Sequence, residues 1–241
     1  LRSDTSAQSH VVGVVLLLGL TVVALGGLTA VVGSVVDGHT TTADEARVAD
    51  TFETAFRPVE QTGHQTARVR FTEGRLTTAE RELRVLNDSG VRRTVPVDAV
   101  VYESGDTPVR FLAGSVVRGT AGNAWLETDP PVTATRDDTA VIVGAPLVNA
   151  SGGTVSGTGG VSAGIRQNVS HERERLPTDN YSVAIETETP RPFTEYFQRV
   201  GATTRVRDID GDGVQSVVAT FPGRRTLYLV RHDMRTEVGH G

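Results

Sequence analysis

The sequence predicts an α+β protein: a long N-terminal hydrophobic helix followed by a mainly antiparallel β-rich globular head. Three observations predict it. Val11 to Val36 carries no charged residue and nothing more polar than Thr or Ser. From Ala67 onward, short Val-rich runs alternate apolar and polar residues between Gly, Pro, Asp and Asn, which is the pattern of strands and turns. Between these two regions the apolar residues recur at helical spacing.

Residues 8–37 form the expected hydrophobic helix. As a helix, Val11–Val36 would span roughly 39 Å at ~1.5 Å per residue, more than the ~30 Å of a bilayer core. A secretory signal has an apolar region of only ~7–15 residues, so the run is too long for that reading. Gly19, Gly26 and Gly33 recur every seven residues, with Ala30 beside the same stripe. Small residues so placed let neighbouring membrane helices approach closely, which marks a packing face. Arg2 precedes the run, whereas Asp37, Asp44 and Glu45 follow it. Retention of positive charge in the cytoplasm then gives a single-pass cell-membrane protein with its C-terminal domain extracellular.

Residues 38–62 read as an amphipathic helical extension. Thr42 and Glu45 have the spacing of a capping box, and Val48, Phe52, Phe56 and Val59 make one apolar face. Pro58 and Gly63 close it. The head, 63–241, begins with runs such as "ARVRFTEG", "RELRVLND" and "VRFLAGSVVRG". "SGGTVSGTGGVSAG" reads as a loop or a flat strand pair, and "HERER" as a solvated loop. "PRPFTEYFQRVG" reads as a short helix carrying Phe193, Tyr196 and Phe197. The end of the chain reads as a hairpin with Pro222-Gly223 in its turn.

Composition narrows the function. All 24 basic residues are Arg, the net charge is −5, and there is no Cys. Nucleic-acid binding wants a basic stripe and finds none, and a head without Cys is held by its core rather than by disulfides. Gly160-Val-Ser162-Ala-Gly164 fits a nucleophile-elbow pattern, but that chemistry needs a strand before the Ser and a helix after it. The six His are scattered, with no pair at zinc spacing. The expected catalytic set is therefore none, and the protein is not expected to be an enzyme.

Two motifs remain. Asn87, Asn149, Asn168 and Asn180 each begin an N-x-Ser sequon, four of the five Asn in the chain, which suits a glycosylated extracellular surface. "DIDGDGVQS" places Asp208, Asp210 and Asp212 at positions one, three and five of a calcium loop, Val214 as a carbonyl ligand and Ser216 ninth. Ala219 stands where the twelfth-position Glu is wanted, so a full EF-hand is excluded. A partly hydrated Ca²⁺ site and a plain acidic turn both remain open, and no cofactor is certain.

"AQSHVVGVVLLLGLTVVALGG", residues 7–27, resembles the N-terminal segment of haloarchaeal type IV pilin-like and archaellin-like proteins. The absence of Lys and the abundance of Val agree with salt-loving archaea. The resemblance implies that residues 1–7 are a short leader, cut off by a prepilin peptidase between Ala7 and Gln8. It also implies packing of the apolar helix against its own copies or other pilin-like subunits, in the membrane and then in a filament. The function so implied is a structural subunit, major or minor, of an archaeal cell-surface filament with an adhesive head. The alternative is a single-pass membrane-anchored extracellular binding module that does not polymerise.

Overall fold

The computed structural model describes residues 42–57, 62–105, 107–135 and 137–240. Contacts divide the chain into Leu1–Thr42 and Ala43–Gly241, and the second unit is the β domain. The described residues open with helix α1 (42–55). The strands that follow are β1 (Gly63–Ala79), β2 (Glu82–Asn87), β3 (Gly90–Pro96), β4 (Ala99–Glu103), β5 (Val109–Leu112), β6 (Ser115–Arg118), β7 (Trp125–Thr128), β8 (Val132–Ala134), β9 (Ala140–Leu147), β10 (Ser151–Gly152) and β11 (Val155–Glu186). Helix α2 (Pro190–Arg199) then leads to β12 (Thr203–Arg207), β13 (Ser216–Asp233) and β14 (Glu237–His240).

Strand β11 organises everything else. Its first half pairs with β1, antiparallel from Gly63↔Val169 to Leu76↔Val155, and its second half pairs with β13 and β2. Among the described residues pairing is antiparallel except where β13 meets β9 and β10 meets β14. Beside a small cluster of Leu86, Ala184 and Val218, two large apolar cores form among the described residues as a consequence. One gathers Leu83, Val85, Val183, Val217 and Leu229 under the aromatic face of α2. The other gathers Val69, Phe71, Leu76, Tyr102 and Phe111 under α1.

Each helix lies down because its apolar stripe matches a sheet face. Val48, Phe52 and Phe56 are buried as their spacing predicts, and the Phe56 ring stacks on Phe111 at 4.4 Å between centroids. Val59 lies outside the described residues. In α2, Phe193, Tyr196 and Phe197 are buried, and the Tyr196 hydroxyl donates to the Val132 carbonyl at 2.7 Å.

The fold class expected from sequence is corrected. Among the described residues the protein is mainly β, and α1 and α2 cover sheet faces rather than forming a layer of their own. The long hydrophobic helix expected at 8–37 falls outside the described residues, and no helix among them is long and apolar enough to cross a membrane. The strands run further than turn signals imply: β1 has 17 residues, β11 has 32 and β13 has 18. Strand pairing depends on backbone hydrogen bonds, and polar side chains on a solvent face do not oppose it. "HERER" is accordingly strand, and so is the Gly/Ser/Thr tract apart from residues 153–154.

The Pro222-Gly223 hairpin is a second correction. Ser216–Thr220 and Arg224–Asp233 pair with the same partner, β11, so the chain does not reverse there. Pro222 removes a ladder donor and Gly223 takes φ +75, which makes an irregularity in a continuous strand. Within the described part of the expected extension, helix runs to 55, and strand begins at Gly63.

Candidate functional site

The acidic loop between β12 and β13 is built as a turn. Gly211 and Gly213 take φ +84 and +92, a region open to Gly at little steric cost. Their N–H groups donate to the two oxygens of Asp208 at 2.8 and 3.0 Å. Those two bonds hold the Asp208 carboxyl below the usual carboxylate range. Asp212 Oδ1 accepts the Val214 N–H at 2.8 Å. Ile209 packs against Leu86, Ala184 and Val218, so the loop folds down over the outer face of β2 and β11.

Beneath the loop lies a residue that sequence reasoning missed. Arg84 of β2 is buried, and its guanidinium lies 3.1 Å from Glu186 Oε1, 2.5 Å from Asp210 Oδ2 and 2.6 Å from Glu82 Oε2. Ser216 Oγ is 3.5 Å away. The other Glu186 oxygen accepts the Glu82 N–H at 3.0 Å. Burial pushes the Glu186 carboxyl above its ordinary pKa even with Arg84 beside it. Oxygens of Glu186, Asp210 and Asp212 lie within 4.8 Å of one another, a spacing that would suit a cation. The guanidinium already supplies positive charge to two of these three carboxylates. Of the five positions matched to a calcium loop, Asp208 faces its own backbone, Asp210 faces Arg84, Asp212 holds the Val214 N–H, and Ser216 is buried.

The sequons are brought together in part. Asn87 Nδ2 donates to Asp179 at 2.7 Å, and Asn180 Nδ2 donates to Asp88 at 2.7 Å, a reciprocal pair between the β2–β3 turn and β11. Asn149 Nδ2 donates to Asp233 at 2.7 Å. Asn149 and Asn180 are exposed, whereas Asn87 and Asn168 are half-buried. Ala7, Gln8, Gly19, Gly26, Ala30 and Gly33 lie outside the described residues.

Gly160, Ser162 and Gly164 lie within β11, paired to β1, so no strand–turn–helix elbow forms around Ser162. Among the described residues two histidines form a pair that spacing could not reveal. His171 of β11 stands opposite His232 of β13, with their Nδ1 atoms 2.8 Å apart and their rings nearly perpendicular. A contact that short requires a proton on one nitrogen and a lone pair on the other. Burial, with the charges of His171 and Arg173, pushes the His232 pKa down to about 4.

The chain belongs to the family of unknown function DUF7289, whose model matches residues 7–237. No curated protein and no solved structure matches it.

Proposed function

We propose that this DUF7289 protein is a type IV pilin-like cell-surface protein, a structural subunit of an archaeal filament whose β domain faces solvent and can take an adhesive role. The observation that carries the reading is the way the chain enters the β domain. Directly after the apolar segment, α1 is sunk into the second core by Val48 and Phe52, with Phe56 buried beside them just past its end. A loose tether has no use for a buried helix, whereas a subunit held through its N-terminal segment needs a firm coupling to its domain. The family match takes in the apolar segment and the β domain together.

On this reading a prepilin peptidase cuts between Ala7 and Gln8. The segment with Gly19, Gly26, Ala30 and Gly33 on one stripe then packs against its copies, first in the membrane and afterwards in the filament. The edge strands agree with a domain that must not pair at random: β12 carries Arg205 and Arg207, and β3 carries Arg92 and Arg93. Charged side chains on an edge discourage uncontrolled strand addition.

The test is to shear surface filaments from cells expressing a tagged copy and probe them for the chain. Its presence in filaments, and its loss with Gly26→Glu, is the expected result. A chain confined to the membrane fraction in both cases would favour the non-polymerising anchored module.

A further inference from the structure

A cleft of about 90 Å³ opens beside the end of β11. Ala79, Ala99, Val101 and Leu112 give it an apolar lining, and Arg81, Arg110 and Glu188 stand around it. The arginine side chains are 14% and 13% exposed, while Glu188 is 56% exposed. Each guanidinium is fixed by a main-chain carbonyl: Arg81 Nη1 donates to Glu80 O at 2.5 Å and Arg110 Nη1 to Gly119 O at 2.9 Å. The Nη2 atoms of both turn toward Glu188. Arg81 reaches Oε1 at 2.6 Å as a hydrogen bond, whereas Arg110 comes only to 3.5 Å from Oε2, an ion contact.

Arg110 is therefore under-compensated. A guanidinium offers five N–H donors, and among the described residues this one makes a single hydrogen bond. Desolvation is the largest influence on it and lowers its pKa despite the charges of Glu188 and Glu103. Taking a cation out of water without a close anion is costly. Two pre-positioned guanidiniums around an apolar lining form a fork suited to a planar carboxylate. Glu188 already shows the binding mode with its own carboxylate.

We propose that this cleft binds the carboxylate of a small monocarboxylic acid with a short aliphatic stem, and that Glu188 occupies the site as an internal stand-in until the ligand displaces it. The size follows from the volume: a cavity of about 150 Å³ takes benzene, so a cleft of about 90 Å³, enlarged where the Glu188 carboxylate is displaced, takes a carboxylate carrying two or three further carbons. The single charge follows from Glu103, which also lines the cleft and would repel a dianion. This site does not depend on whether the chain polymerises.

The experiment titrates the full chain with butyrate, butanamide and inorganic phosphate, following the arginine Nε–Hε signals by NMR. Butyrate is expected to saturate and butanamide to give no shift. Glu188→Gln removes the internal competitor and should tighten butyrate about tenfold, as expected if the stand-in fills roughly nine-tenths of sites. Arg110→Gln should abolish binding. Arg81→Gln serves as a second variant, with near-UV circular dichroism reporting whether each folds. Unchanged or absent butyrate binding in Glu188→Gln, or tighter binding of phosphate than of butyrate, would overturn the proposal.

Discussion

Asp44 of α1 accepts the backbone N–H of Thr72 in β1. The register of β1 against β11 shifts between Phe71 and Glu73, so Thr72 is the residue left out of the ladder. Its N–H would be orphaned at the bulge, and a buried carboxylate from the helix takes it up. One hydrogen bond thus completes the sheet and seats the helix. Asp44→Ala should lower stability by about 1–3 kcal/mol, the usual cost of a lost buried acceptor, measured by urea unfolding. Asp44→Asn, which keeps an acceptor, should cost less. Equal stability of all three proteins would mean that α1 is seated by its aromatics alone.

Arg84 acts as the cation of the acidic loop. Removing one partner of a buried ion pair costs about 3–5 kcal/mol, because the other charge stays buried. Arg84→Met should fall in that range, and Arg84→Met with Glu186→Met should cost less than the single change. The single variant leaves Glu186, Asp210 and Asp212 facing one another and should gain a calcium-dependent rise in Tm that the parent protein lacks. A parent Tm that drops on chelation, with Asp210→Ala abolishing the drop, would make Ca²⁺ the counter-charge instead.

The histidine pair gives a pH dependence whose sign is fixed. His232 is held near 4 in the folded state, against 6.5 for an ordinary histidine. Between those values the unfolded chain binds more protons, so stability is present above about pH 6.5 and is lost as pH falls toward 4. The shift corresponds to roughly 3 kcal/mol, at ~1.36 kcal/mol per pH unit. Carboxylates also titrate in this window, so the informative comparison is with His232→Gln. That variant should show a shallower fall in Tm between pH 6.5 and 4, and parallel curves would remove the role.

Glycans are expected first on Asn149 and Asn180, the exposed sequon residues. An N-linked amide keeps one N–H, so the bonds to Asp233 and Asp88 can survive attachment. Intact mass and peptide mapping of protein from native cells check this, and a mass equal to the bare chain would end it.

The helices of the β domain were legible. Val48, Phe52 and Phe56 announce α1, and Pro190, Phe193, Tyr196 and Phe197 announce α2, because a helix writes its buried face into local spacing. Strand length was not legible, since β11 passes through Gly, Ser and charged residues that look like loop until β1 and β13 pair with them. Arg84 sits between Leu83 and Val85 and reads as a solvent-side position of an alternating strand. It is buried because a loop more than a hundred residues later covers that face. His171 and His232 are likewise 61 residues apart and meet only through strand register. Separations of that kind leave no trace in a local pattern. The acidic loop itself was visible, but its counter-charge was not.

The central claim, a pilin-like subunit processed at its N-terminal segment, is tested most directly by the mass of the N-terminal peptide of protein recovered from cells. A mature chain that starts at Gln8 is the expected result. A peptide that still carries residues 1–7 would contradict it and leave a membrane-tethered β domain that does not enter a filament.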